Sequence, residues 1–141
     1  MKKSPMIVTG TLGMDAHIIG TKIISRALRE AGFRVTALGA YTPPEDFIKA
    51  AQETDAAAVL MSSLYGMAGF DLQGFNDKRL EAGLGDILLY IGGNLVVGRA
   101  DFKEVEAKFK GLGFDRVYPP EADIDKAIND LKNDLRAKGK M

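Results

Sequence analysis

Residues 33–61 read FRVTALGAYTPPEDFIKAAQETDAAAVLM, and this stretch decides the fold. Residues 33–38, Phe-Arg-Val-Thr-Ala-Leu, read as the second strand, before Gly39. Thr42-Pro43-Pro44-Glu45 then combines a Thr N-cap, a proline at the first helical position and a glutamate three residues after the cap. Those are the marks of a helix start, and the helix is predicted to run to about Gln52. Residues 56–61, Ala-Ala-Ala-Val-Leu-Met, follow as a near-continuous apolar strand. Such a strand is buried on both faces, and strand, helix, strand in that order makes a parallel unit.

The same alternation extends in both directions. Upstream, Met6-Ile7-Val8-Thr9 reads as a first strand ended by Gly10, and Ile19, Ile23, Ala27, Leu28 and Ala31 recur at helical spacing until Gly32. Downstream, the glycine-rich Tyr65-Gly66-Met67-Ala68-Gly69 precedes one helical pattern carrying Leu72, Phe75 and Leu80, ending near Gly83. Residues 87–91 are a fourth strand, followed by Gly92-Gly93-Asn94. Asp101 with Glu104 repeats the capping pattern, and Phe102, Val105 and Phe109 face inward until Gly111. Arg116-Val117-Tyr118 is a short fifth strand stopped by Pro119-Pro120, and Ile124, Ala127, Ile128, Leu131 and Leu135 share one face of a last helix.

Five strand–helix units predict an α/β fold: a doubly wound, flavodoxin-like, five-stranded parallel sheet in the order 2-1-3-4-5, built as one domain over residues 1–141. An eightfold barrel needs about 250 residues. Ligands of such sheets bind at the carboxyl ends of the strands, beside the switch point. That directs attention to three loops, residues 10–20, 62–69 and 92–98.

Composition narrows the function. The 141 residues suit one domain of roughly 100–200 residues. Nineteen basic and nineteen acidic residues cancel, which argues against a nucleic-acid or anionic-membrane surface. No apolar run nears the roughly 20 residues of a membrane span. Lys2 and Lys3 are followed, after Pro5, only by the short run Met6-Ile7-Val8, so no export signal is expected and the cytoplasm is the expected location. Cysteine is absent and His17 is the single histidine, too few for a structural zinc or an ordinary catalytic one. A metal that already carries a tetrapyrrole-like ring needs only one or two protein ligands.

Each loop admits two readings. Asp15 and His17 between Gly13 and Gly20 suit an ordinary helix start, with Asp as a cap and an exposed histidine. They equally suit a metal ligand whose second ring nitrogen is held by a carboxylate, which fixes the tautomer and raises basicity. Phosphate motifs do not fit, since Gly10, Gly13 and Gly20 miss the dinucleotide spacing and Gly20-Thr21-Lys22 is not a phosphate-loop pair. A phospho-accepting receiver would end its third strand in Asp, and this one ends in Met61-Ser62-Ser63. Ser62 and Ser63 satisfy backbone groups or hold a ring heteroatom; Gly92 and Gly93 make a tight turn or open a slot for a flat group.

Together, Asp15-x-His17-x-x-Gly20, Ser62-x-Leu64 and Gly92-Gly93 resemble the three-part signature of cobalamin-binding domains. Ser62-Ser63-Leu64-Tyr65-Gly66, the run ILLYIGGNLVVG over residues 87–98 and Asp115-Arg116-Val117-Tyr118 are similar to the small (sigma) subunit of methylaspartate mutase, also called glutamate mutase. In place of that family's Gln-Gly-Glu stand Met67-Ala68-Gly69. The resemblance implies adenosylcobalamin as cofactor, with His17 as the axial cobalt ligand in place of the cofactor's dimethylbenzimidazole and Asp15 bonded to its far ring nitrogen. Met14, Ala16 and Ile18 flank that pair. Gly20 would clear a path for the displaced nucleotide tail, with Ser62 near its ring nitrogen. Ser63, Leu64, Tyr65, Gly92 and Gly93 would lie along the slot, and Asn94, Leu95, Val96, Val97 and Gly98 against the corrin.

The implied reaction is a radical interconversion of L-glutamate and threo-3-methyl-L-aspartate. No substrate site is legible in this chain, because Arg26, Arg29, Arg34, Arg79, Arg99, Arg116 and Arg136 are scattered and expected on solvated helix exteriors. The resemblance implies a large (epsilon) barrel subunit that supplies it, two small with two large subunits, and no turnover by this chain alone. Two other readings stay open. One is a methyl-transferring corrinoid carrier, which usually brings a helical bundle ahead of its first strand; the other is a nucleotide- or flavin-binding module that does not need His17.

Overall fold

The computed structural model describes residues 4–13, 19–63, 67–93, 95, 101–120 and 123–141. Strands β1 (Met6–Thr11), β2 (Arg34–Ala37), β3 (Ala58–Ser63), β4 (Leu88–Gly93) and β5 (Arg116–Tyr118) alternate with helices α1 (Ile19–Glu30), α2 (Pro44–Thr54), α3 (Ala68–Asp71), α4 (Phe75–Glu81), α5 (Phe102–Gly111) and α6 (Ile124–Ala137). The strands form one parallel sheet in the predicted order, β2-β1-β3-β4-β5. Ile7 stands opposite Val35 and Ala58, Ala58 opposite Leu88, and Ile91 opposite Val117. Because strand side chains alternate between faces, this register aligns whole apolar rows.

On one face Ile7, Ala58, Leu60 and Leu88 pack against Leu28 of α1 and Ile128, Leu131 and Leu135 of α6. On the other, Val8, Val59, Met61, Leu89 and Ile91 meet Phe47 of α2, Phe75 of α4 and Phe109 of α5. Burial on both faces is why the central strands β3 and β4 read as near-continuous apolar runs, unlike the edge strands β2 and β5. Asp101 and Asp123 cap α5 and α6, their carboxylates accepting from the N–H of Lys103 at 3.2 Å and of Asp125 at 3.0 Å. No helix among the described residues is long and apolar enough to cross a membrane.

Several expectations are corrected. Thr42 is not the cap of α2: its N–H donates to Thr11 O, its carbonyl accepts from Gly13 N–H, and its hydroxyl donates to Gly39 O at 3.1 Å. It extends the pairing of β1, and α2 starts at Pro44 with Pro43 as an N-cap without a side-chain bond. The single helix predicted around Leu72–Leu80 is two, broken at Gly74, whose φ of 75° is left-handed. Ile23 and Leu80 are exposed. On the inner face of α1, Leu28 is buried as expected, and Thr21 and Ser25 join it. Arg79 is not solvated but buried, bound to Asn76 and Leu84 O; Arg116 stays partly exposed while bound to Asp134. Finally, β3 and β4 run two residues further than predicted, so Ser62, Ser63, Gly92 and Gly93 are strand ends rather than loop residues.

Candidate functional site

The register puts Thr11, Ser62, Gly92 and Tyr118 in one row across β1, β3, β4 and β5, at the carboxyl edge of the sheet. Three of these residues carry side chains and the fourth leaves a gap. A Cβ at Gly92 would lie 3.3 Å from Tyr118 Cβ. Over that gap, between the sheet and helices α1 and α6, opens a cleft of about 250 Å³. Leu60, Tyr90 and Ile24 form its inner end, Ile124 and Ala127 of α6 its side, and Pro119 and Pro120 its outer lip. Ser62 and Thr21 bring hydroxyls and Asp123, the cap of α6, a carboxylate to a lining that is mostly apolar.

Helix α1 meets β1 through hydroxyl pairs. Thr9 and Ser25 share a hydrogen bond of 2.8 Å, Thr11 and Thr21 one of 3.1 Å, all four residues being buried. Their small size lets the helix approach the sheet closely beside the cleft.

The opposite wall is aromatic. The rings of Tyr90 and Tyr118 lie 5.8 Å apart and tilted by 56°. Tyr90 donates its hydroxyl to Asp134 and Tyr118 donates to Asp130. Arg116 donates to both oxygens of Asp134, at 2.7 and 3.0 Å. Burial, then the facing carboxylates, pushes both phenols far above their ordinary range. The Arg116 guanidinium, helped by the Tyr90 hydroxyl, holds the Asp134 carboxyl below the usual carboxylate range. Burial pushes the Asp130 carboxyl up, but hydrogen bonds from Tyr118 and Lys126 and the charge of Arg116 outweigh it and lower it.

Of the residues singled out from sequence, Ser62, Gly92 and Gly93 line the cleft. Gly20 stands in the first turn of α1. Ser63 is fully buried, falls by alternation on the other face, and its hydroxyl has no hydrogen-bond partner among the described residues. Leu95 is buried with the core beneath α5. Met14, Asp15, Ala16, His17, Ile18, Leu64, Tyr65, Asn94, Val96, Val97 and Gly98 lie outside the described residues. Sequence reasoning missed Tyr90, Tyr118, Ile24, Ile124 and Ala127 as cleft walls. An aromatic inside the aliphatic run Leu88–Ile91 was the available signal for Tyr90; the others follow only from register and helix packing.

The arrangement accepts a flat, mostly apolar group. Such a group can slide over Gly92 where any side chain would block it, while a hydroxyl from Ser62 meets one polar atom. A mostly apolar ring with one polar atom fits this donor set, and a charged part of the same molecule would stay outside the apolar part of the cleft.

Comparison with known proteins bears on what that group is. A family model described as B12 binding domain matches residues 5–129. The glutamate mutase sigma subunit of Carboxydothermus hydrogenoformans is 56% identical over 94% of this chain and 97% of its own. The glutamate mutase sigma subunit of Treponema denticola is 48% identical over 96% and 97%. Among solved structures, a cobalamin-binding protein from Desulfitobacterium hafniense DCB-2 superposes with a TM-score of 0.75 at 23% identity, over 93% of this chain and 59% of that one. At that identity the likeness is one of fold.

Proposed function

Since this chain belongs to the B12 binding domain family and, within it, to the glutamate mutase sigma subunits, we propose that it holds adenosylcobalamin by swallowing the cofactor's nucleotide tail in the cleft over Gly92. The observation that carries this is the gap in the row Thr11–Ser62–Gly92–Tyr118, with Leu60, Tyr90, Ile124 and Ala127 among the residues that line the cleft over it. When bound, the cofactor supplies an adenosyl radical by homolysis of its cobalt–carbon bond, the chemistry needed to interconvert L-glutamate and threo-3-methyl-L-aspartate.

The chain's own residues bind and orient. His17 would hold the cobalt, and Asp15 would accept the proton of its other ring nitrogen, keeping the metal-facing nitrogen basic. Ser62 meets the heteroatom of the displaced ring, while Gly92 and Gly93 admit its plane. Leu64, Tyr65, Asn94 and residues 96–98 would meet the corrin side, while Leu95 stays in the core. A substrate with two carboxylates needs arginines in an enclosed pocket, and Arg79 and Arg116 are already committed to Asn76, Leu84 O and Asp134. As the family resemblance implies, substrate recognition and shielding from water would fall to a large partner subunit, two of each making the assembly, and the chain alone would not turn over.

The test is a titration of the full chain with adenosylcobalamin, followed by EPR of the photolysed cob(II)alamin form. With nitrogen-15 histidine in the protein, the axial nitrogen splitting is expected to change from a triplet to a doublet, and His17→Gly is expected to abolish it. An unchanged triplet in the labelled protein means that the benzimidazole still sits on cobalt, and the proposal is then wrong.

A further inference from the structure

The hydroxyls of both cleft tyrosines are held from one helix. Tyr90 donates to Asp134 and Tyr118 donates to Asp130 at 2.7 Å, both acceptors on α6. Arg116 grips Asp134 with Nε and Nη2 and stands 3.6 Å from Asp130 through Nη1, while Lys126 Nζ donates to Asp130 at 3.3 Å. Two carboxylates thus answer two cations and two phenols. Neither carboxylate lines the cleft; both line the groove behind it, between α5 and α6.

We propose that Asp130 and Asp134 are positioning residues for the cofactor's nucleotide tail, acting through the rings of Tyr90 and Tyr118; this rests on the tail occupying the cleft. By drawing both hydroxyls to the far side, they leave ring carbon as the surface the tail meets, so the wall stays apolar. They also set the rotation of α6. Ile124 and Ala127, which line the cleft, precede them on the same helix and cannot turn away without breaking the bidentate arginine bond. Charge-assisted bonds of this kind are roughly twice as strong as neutral ones.

The test uses the full chain with the large subunit present and two probes: adenosylcobalamin, and adenosylcobinamide, which keeps the corrin but lacks the tail. The wild-type chain is expected to favour the tailed form. Asp134→Asn and Tyr90→Phe are expected to lose about tenfold in affinity for adenosylcobalamin, the worth of a hydrogen bond to a charged group, while binding adenosylcobinamide as wild type does. Equal losses for both probes would mean that the bonds support the fold only; no loss for either would mean that they position nothing. Both outcomes overturn the proposal. Tyr90→Phe keeps the ring and its volume, so it decides the matter even where Asp134→Asn fails to fold. A wild-type chain that holds both probes equally would remove the tail reading itself, an outcome that no behaviour of the variants imitates.

Discussion

Two glycines on the sheet have opposite fates. At Gly10 in β1 an added Cβ would come within 2.9 Å of two ring carbons of Phe47 and 3.2 Å of Leu38 Cβ. The space is taken by the protein itself, with Phe47 fully buried. At Gly92 the neighbouring contact is Tyr118 at 3.3 Å, and the rest of the space is the open cleft. One vacancy therefore serves packing and the other serves a ligand. Gly10→Ala forces the Phe47 ring off its seat, and overpacking of a well-filled core costs about 1–3 kcal/mol. Urea unfolding is expected to show a lower midpoint with an unchanged slope. A midpoint equal to wild type would mean that α2 shifts freely, contrary to the tight contact described.

At the scale of elements, α4 depends on one buried cation. Arg79 is 8% exposed and donates through Nε and Nη2 to Asn76 Oδ1, and through Nη1 to Leu84 O at 3.1 Å. It ties the helix to the turn that enters β4. Arg79→Ala leaves those acceptors without their donor, at a cost of about 1–3 kcal/mol. Arg79→Lys is expected to recover little, because an ammonium cannot present a planar fork to two acceptors. Thermal unfolding of the three proteins checks this, and a lysine variant as stable as wild type would refute it. Arg79 also marks where sequence legibility stops. A charged residue on a short helix reads as solvated, and its second acceptor is a backbone carbonyl that no side-chain pattern reveals. Helix α1 shows a related limit. Apolar periodicity points Leu28 inward correctly, but it also selects the exposed Ile23 and passes over Thr21 and Ser25, made inward by hydroxyl partners on β1. The strands were legible because continuous apolar runs have one explanation, and β5 was placed at the observed residues, Arg116–Tyr118. Ser62, Gly92 and Gly93 were legible as a group because glycine and serine are unusual at the ends of buried strands. The tyrosine wall was not, since it exists only once β4, β5 and α6 are assembled.

Across the whole molecule, the last helix closes the fold by bonds that span 44 residues of chain, from Tyr90 to Asp134. Those bonds make stability depend on acid. The carboxyls of Asp130, Asp134 and Glu45 all titrate below their ordinary range, the last through a backbone hydrogen bond and Lys78. A carboxyl depressed in the folded state stabilises the fold above its unfolded pKa and stops doing so as pH falls through its folded one. With unfolded Asp near 3.9 and Glu near 4.3, stability is expected to hold from neutral pH down to about 5 and to fall steadily below about 4. Asp134→Asn removes one of the depressed groups and with it the charge that Arg116 grips. At pH 7 it is expected to cost about 1.5–3 kcal/mol, as for a hydrogen bond to a charged partner. As pH drops, wild-type Asp134 takes up a proton and loses the same charge, so the two stability curves converge. Urea unfolding at a series of pH values from 7 to 2.5 measures this directly. Curves that stay parallel into acid would show that the α6 clamp holds without the Asp134 charge, and the ionic account of how the molecule closes would have to be abandoned.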